Sequence, residues 1–222
     1  MGIALHGGER VSVYQHPSEL DRALDALRKD LLSADGPQIS TVRNYNFAIL
    51  PYDPEHEFLV RQRIHDVSEA LRDAGWNTAT IPLHTLLLAR LRGEGGDVVA
   101  GLIEREKRLV RANDPWRGLR SLKQHIVNLL DGHDGIAADV IREVHQILAE
   151  DGRNPARTVI FLGRTGALYP FLRTSALLKH IADHTKNAPV VLLYPGKVIG
   201  ETGLSFMGIM PADRDYRPRI YR

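Results

Sequence analysis

The sequence predicts an α/β fold: a mostly parallel central sheet of about four to five strands, flanked by helices and carrying a helical insertion. Three observations point there. Residues 45–50 and 158–162 are short, mostly apolar segments of the kind that form strands buried on both faces. Each is followed by a helical stretch and then by another strand-like segment, at 76–81 and 189–194. Residues 83–150, between these two halves, read as helix throughout. A strand–helix–strand unit of about 35 residues is almost always a right-handed parallel crossover. The parallel reading of the first unit is extended to the rest.

The elements follow in chain order. Residues 1–16 read as a flexible N-terminus. Leu20, Leu24, Leu27 and Leu31 recur at i, i+4, i+7 and i+11, one face of a helix over about 18–33. Ser18 is its expected cap, and Asp35-Gly36-Pro37 stops it. After the first strand, Asp53 is placed to cap a helix with Pro54 at its first position, and Glu55 and Glu57 suit the positive end of its dipole. That helix buries Val60, Ile64, Val67 and Leu71 and ends at Gly75. A short helix is expected over His84–Arg92. Another, capped by Asp97, should run to about Arg111, and a third should start at Asn113-Asp114-Pro115. The last of the set buries Ile136, Val140, Val144 and Ile147. In the second half, Thr174 or Ser175 should cap a helix to about Lys186. Leu204–Met210 and Arg217–Arg222 read as edge pieces of the sheet.

Composition narrows the function class. At 222 residues the chain suits one α/β domain, with 83–150 as a helical insertion inside it. Hydrophobic residues make up 43% and charged residues 25%, which excludes wholesale disorder. The net charge of +2 is too balanced for a dedicated electrostatic nucleic-acid binder. The chain has no cysteine, and so no disulfide, thiolate nucleophile or cysteine metal site. The start of the sequence lacks the pattern of a signal peptide, and no apolar run approaches the roughly 20 residues of a membrane span. A cytoplasmic protein is expected.

Motifs for chemistry are sparse. Pro51-Tyr52-Asp53-Pro54, the first loop after a strand, has neither glycine nor a Lys-Ser/Thr pair, and its acidic residue would repel phosphate. The sheet resembles a P-loop or Rossmann-like core without a phosphate-binding motif, on fold analogy alone. Gly163-Arg164-Thr165-Gly166 is a better anion candidate, because it follows a strand at the ligand-binding edge of such sheets. Arg164 and Arg173 can clamp a carboxylate or phosphate. The alternative is a plain backbone turn with both arginines paired to acidic neighbours. His180 and His184 have the i, i+4 spacing of a helical zinc pair, but no third ligand is identifiable, and they read as a solvated helix end. His6-Gly7-Gly8 has no G-x-S-x-G to accompany it. Glu104 with Glu106, and Asp213 with Asp215, stand two positions apart, so on a helix they diverge. No catalytic residue, cofactor site or metal site is assigned, and the chain reads as a non-enzyme.

Arg105 to Lys123 is the most basic segment, with Arg105, Lys107, Arg108, Arg111, Arg117, Arg120 and Lys123 against Glu106 and Asp114. It reads as a solvated helix face or as a phosphate-binding one. Trp116 can stack on a base or anchor the helix in the core.

Several blocks together resemble one family. They are residues 45–54, Gly166-Ala167-Leu168-Tyr169-Pro170-Phe171-Leu172-Arg173 with its preceding strand end, and 189–196. Leu204-Ser205-Phe206 and Tyr216-Arg217-Pro218-Arg219-Ile220 complete the set. The chain is similar to BrxB, a small component of the bacterial BREX anti-phage systems. The likeness runs from about residue 40 to the C-terminus. It implies a bacterial protein acting in phage restriction or host methylation beside a methyltransferase, an ATPase, a Lon-like protein and PglZ. It carries over no catalytic motif. Two roles are then in play: an adaptor binding another BREX protein, PglZ above all, or a degenerate nucleotide- or nucleic-acid-binding module. For the adaptor, the candidate partner-binding residues are Arg164, Tyr169, Phe171, Arg173, Tyr216, Arg217 and Arg219, since aromatics and arginines are enriched at interface hot spots. Phe171 and Leu172 could instead pack the sheet edge. Arg164, Arg173, Arg217 and Arg219 are expected on one surface with Tyr169 and Tyr216. For direct DNA contact the candidates are Arg105, Arg108, Arg111 and Arg120.

Overall fold

Five strands run parallel in one sheet, and a sixth folds back on it. The computed structural model describes residues 17–34, 36–39, 46–112, 115–132, 134–150, 152–214 and 216–222. Expectations resting on residues 1–16, Asp35, Tyr45, Asn113, Asp114, His133, Asp151 and Asp215 lie outside the described residues.

The strands are β1 (Phe47–Tyr52), β2 (Asn77–Pro82), β3 (Thr158–Gly163), β4 (Val190–Ile199), β5 (Gly203–Phe206) and β6 (Arg219–Ile220). Their order is β2-β3-β4-β1-β6, with β5 antiparallel on the second half of β4. The expected parallel sheet is therefore present, with one strand more than anticipated among the described residues. Registers Phe47↔Val190 and Ile160↔Val190 set the first residues of β1 and β4 level with the third residue of β3. Every residue of β1 and β3 is buried, because helices cover both faces.

The helices form two layers. On one face lie α1 (Pro17–Leu31) and α2 (Glu57–Asp73). Their Leu20, Leu24, Leu27, Val60, Ile64 and Leu71 meet Ala48, Leu50, Phe161, Val191 and Leu193 of the strands. Each such fully buried aliphatic side chain contributes about 1.5–3 kcal/mol. The expected leucine stripe of α1 is thus its core face. Gly75, at φ +78, ends α2 as anticipated: the Trp76 amide reaches back to the Leu71 carbonyl at 2.9 Å.

The opposite layer holds α3 (Leu83–Gly93), α4 (Gly96–Arg111), α5 (Pro115–Leu130), α6 (Ile136–Ala149) and α7 (Thr174–Ile181). These helices do not contribute equally. α6 buries Ile136, Ala137, Val140, Val144 and Leu148, and α3 buries Leu83 and Leu87. α5 buries Ile126 and Leu130 at its C-terminal end. α4 buries no side chain fully and packs chiefly on α5. The helical run 83–150 is thus part sheet cover, in α3 and α6, and part outlying hairpin, in α4–α5. None of the described helices is long and apolar enough to cross a membrane.

Three expected caps are corrected. α1 begins at Pro17, so Ser18 lies inside its first turn. Gly95, at φ +96, precedes α4, and Asp97 sits in the first turn. There its carboxylate still suits the helix dipole. Arg173 occupies the position before α7; the Thr174 hydroxyl instead meets the Tyr216 hydroxyl at 2.8 Å, and the Ser175 hydroxyl donates to Asp213 at 2.5 Å. Those hydroxyls tie α7 to the C-terminal segment rather than cap it. α7 also ends at Ile181, short of Lys186, with a 3-10 turn at Ala182–His184.

Candidate functional site

The order of the strands decides where a site can form. The connection after β1 enters α2, on the α1–α2 layer, and the connection after β3 enters α7, on the other layer. β4 lies between them. A crevice at the C-terminal ends of the strands is expected at such a reversal.

β1 ends in Tyr52. Asp53 accepts the Glu55 amide at 3.0 Å and Pro54 opens a one-turn 3-10 segment leading into α2. The Asp53 carboxylate is consumed in that cap, so this loop has no anion cradle. The Tyr52 hydroxyl donates to Glu57 at 2.5 Å. Burial, reinforced by the Glu57 carboxylate, pushes its pKa well above the ordinary tyrosine value. β3 ends at Gly163, and Arg164 follows in the left-handed region at φ 57, ψ 32. A non-glycine residue held there carries strain of about 1–2 kcal/mol. The Arg164 guanidinium stands 3.7 Å from Glu57.

Between α2 and the C-terminal ends of β2 and β3 lies a cleft of about 390 Å³. One wall is a ridge of α2: Arg61, His65, Ser68 and Arg72, at i, i+4, i+7 and i+11. Gly163, Arg164 and His84 line it from the strand ends, and Val60, Ile64 and Leu193 supply apolar surface. Sequence reasoning found Arg164 but missed the α2 ridge. A signal was present: these polar positions run directly beside the buried stripe Val60, Ile64, Leu71.

The other sequence-derived candidates are separated. Arg173 and Tyr216 line a small pocket of about 10 Å³ on the α7 side, with Tyr194 and Phe206. Arg164 and Arg173 therefore do not clamp a common anion. Tyr169 stands edge-on to Phe206, with ring centres 6.0 Å apart, and Tyr216 stands likewise to Tyr194 at 6.0 Å. Phe171 is half-buried against the same core. Arg219 pairs with Asp30 of α1 at 2.8 Å and lies over the Tyr221 ring at 4.8 Å. Its register with Ala48 places it toward the N-terminal edge of the sheet. Arg217 is exposed. The expected single surface is thus three separate places, because the strand order parts β3, α7 and β6.

The basic segment lies on the α4–α5 hairpin. Arg105, Arg108 and Arg117 line a groove of about 310 Å³, and Arg111 and Arg120 are exposed. Lys107 pairs with Glu104 at 2.8 Å. Trp116 is 71% exposed and does not anchor the helix in the core. Ile103, Val110 and Val98 are exposed on α4 as well. His180 and His184 are both exposed, and the His184 carbonyl lies 2.9 Å from His145 Nε2. Among the described residues no group of three His, Asp or Glu side chains converges as metal ligands would.

Known proteins agree on one family. The family model described as BREX protein BrxB matches residues 79–220, well over half of the chain. A BREX protein BrxB from Bacillus cereus (strain H3081.97) is 23% identical over 185 residues, covering 77% of this chain and 80% of its own length. No solved structure matches. The matched stretch begins in β2 and takes in the helical layer, β3, the β4–β5 hairpin and β6, so the chain belongs to the BrxB family of BREX proteins.

Proposed function

We propose that this protein is a non-enzymatic adaptor of a BREX phage-defence system, and that it docks another BREX protein through its α4–α5 hairpin. PglZ is the partner to which the family resemblance points. One observation carries the reading: α4 buries nothing fully, yet exposes Ile103 at 49% and Val110 at 60%, two turns apart on one ridge. Apolar surface held out on a helical arm costs solubility and folding energy unless a partner covers it. Trp116 at the start of α5, with Arg108 and Arg111, supplies the residue types that dominate interface hot spots. In this reading the exposed Arg173 and Arg217 are secondary contacts, while Tyr169, Phe171 and Tyr216 support the β4–β5 hairpin from within. Bound in this way, the adaptor supports phage restriction or host methylation from the cytoplasm.

The basic groove of Arg105, Arg108 and Arg117 favours a second reading, direct nucleic-acid contact. Co-expression with the other products of its gene cluster, followed by pull-down with nuclease at two salt concentrations, separates the two. The adaptor reading expects a nuclease-resistant complex at both salts. Nucleic acid that co-purifies at low salt alone, and is lost on charge reversal at Arg105, Arg108 and Arg120, supports the second reading instead.

A further inference from the structure

We infer that the cleft between α2 and the ends of β2 and β3 binds a phosphorylated small molecule of about mononucleotide size. This is independent of the docking surface, which lies on the opposite helical layer.

Four observations converge on that class of ligand. The first is position. The cleft opens where the chain reverses across the sheet, and β4 runs on past the strand ends into its hairpin with β5. The hairpin fills the α7 side, where the remaining pocket is about 10 Å³, and leaves the α2 side open. The second is charge. Arg61, Arg72 and Arg164 line the cleft against the carboxylate of Glu57. Glu57 already accepts the Tyr52 hydroxyl, and its distance to Arg164, 3.7 Å, is too long for a hydrogen bond. Arg72 is paired with Glu69. Arg61, whose guanidinium lies 5.8 Å from the Phe58 ring centre, has no carboxylate partner among the described residues. One of the three guanidinium groups in this cleft, that of Arg61, is therefore left without a carboxylate among the described residues, while Arg164 and Arg72 have one each; guanidinium forks match phosphate oxygens bidentately.

The third is an orphaned polar group. Nδ1 of His84 is buried without a hydrogen-bond partner among the described residues, and His84 lines the cleft. The fourth is shape. The volume of about 390 Å³ falls at the lower end for small-ligand sites, and Val60, Ile64 and Leu193 offer apolar contact to a ligand body. Free inorganic phosphate would leave that apolar surface uncovered. The loop after β1 supplies no glycine cradle, so the phosphate is held mainly by side chains, Arg61 and Arg164 foremost. That is why no nucleotide motif announces the site.

Isothermal titration of the full chain with adenosine 5′-monophosphate, adenosine and inorganic phosphate tests this. The monophosphate should bind with a dissociation constant below about 1 mM. Adenosine and inorganic phosphate should each bind at least about tenfold more weakly. Arg61→Gln should weaken the monophosphate about tenfold, and so should Arg164→Asn, in which asparagine tolerates the left-handed backbone. Lys179→Gln on the exposed face of α7 should leave binding unchanged. Ring ¹⁵N resonances of His84 should shift on titration. No binding of the monophosphate to about 10 mM, equal binding of adenosine, or binding indifferent to Arg61→Gln in a folded variant would each overturn the inference.

Discussion

Tyr52, Tyr194, Tyr216 and Tyr221 all have their hydroxyl pKa raised above the ordinary value near 10, and burial is the main cause in each. The unfolded chain releases these protons near pH 10, and the folded chain only at higher pH. The folded state then binds more protons, so the stability these groups provide is intact below pH 10 and falls as pH rises above it. Each tyrosine steepens that fall by about 1.4 kcal/mol per pH unit. Replacing Tyr52 and Tyr194 together with Phe should flatten the alkaline limb of urea-unfolding stability between about pH 10 and 11. An unchanged slope would mean that these hydroxyls are solvated. At this scale the sequence was partly readable. Asp53 and Pro54 announced their turn, because a cap is a local arrangement. The hydroxyl contacts of Thr174 and Ser175 were not announced, because their partners Tyr216 and Asp213 arrive from the far end of the chain.

Glycines and helix faces carry the argument among elements. A Cβ on Gly196 would stand 2.3 Å from the Ser205 carbonyl and 2.6 Å from the Tyr194 ring. Gly196 therefore permits the close β4–β5 pairing that closes the α7 side of the sheet edge. Gly196→Ala should cost about 1–3 kcal/mol, read as a lowered urea midpoint. An unaltered midpoint would mean that the hairpin yields freely. The α4–α5 hairpin predicts the opposite behaviour, since α4 has no fully buried side chain. In hydrogen exchange its amides should open well below the global unfolding free energy, while those of α3 and α6 approach it. Equal protection in α4 and α6 would show that the arm is integral to the core. The helices themselves were legible from 3.6-residue periodicity. Their unequal burial was not: α4 and α6 are comparably amphipathic, and only the second is pressed against the sheet.

For the whole molecule, the α/β class was legible because alternation of apolar runs and helical stretches is a long-range pattern. The order β2-β3-β4-β1-β6 was not, because fully buried parallel strands look alike and carry no mark of their neighbours. That order is what moved Arg164, Arg173 and Arg219 to three different places and placed the cleft on α2. It also leaves the α4–α5 hairpin on the layer opposite the cleft. The most direct test of the adaptor role is the affinity of the purified chain for purified PglZ of the same system, with and without Ile103→Asp and Val110→Asp. Both positions are exposed, so the double variant should fold with little loss of stability. The account predicts a nuclease-resistant complex that this variant weakens more than about tenfold and that Arg61→Gln leaves intact. Undiminished affinity in the hairpin variant, or no complex with the wild-type chain, would contradict it.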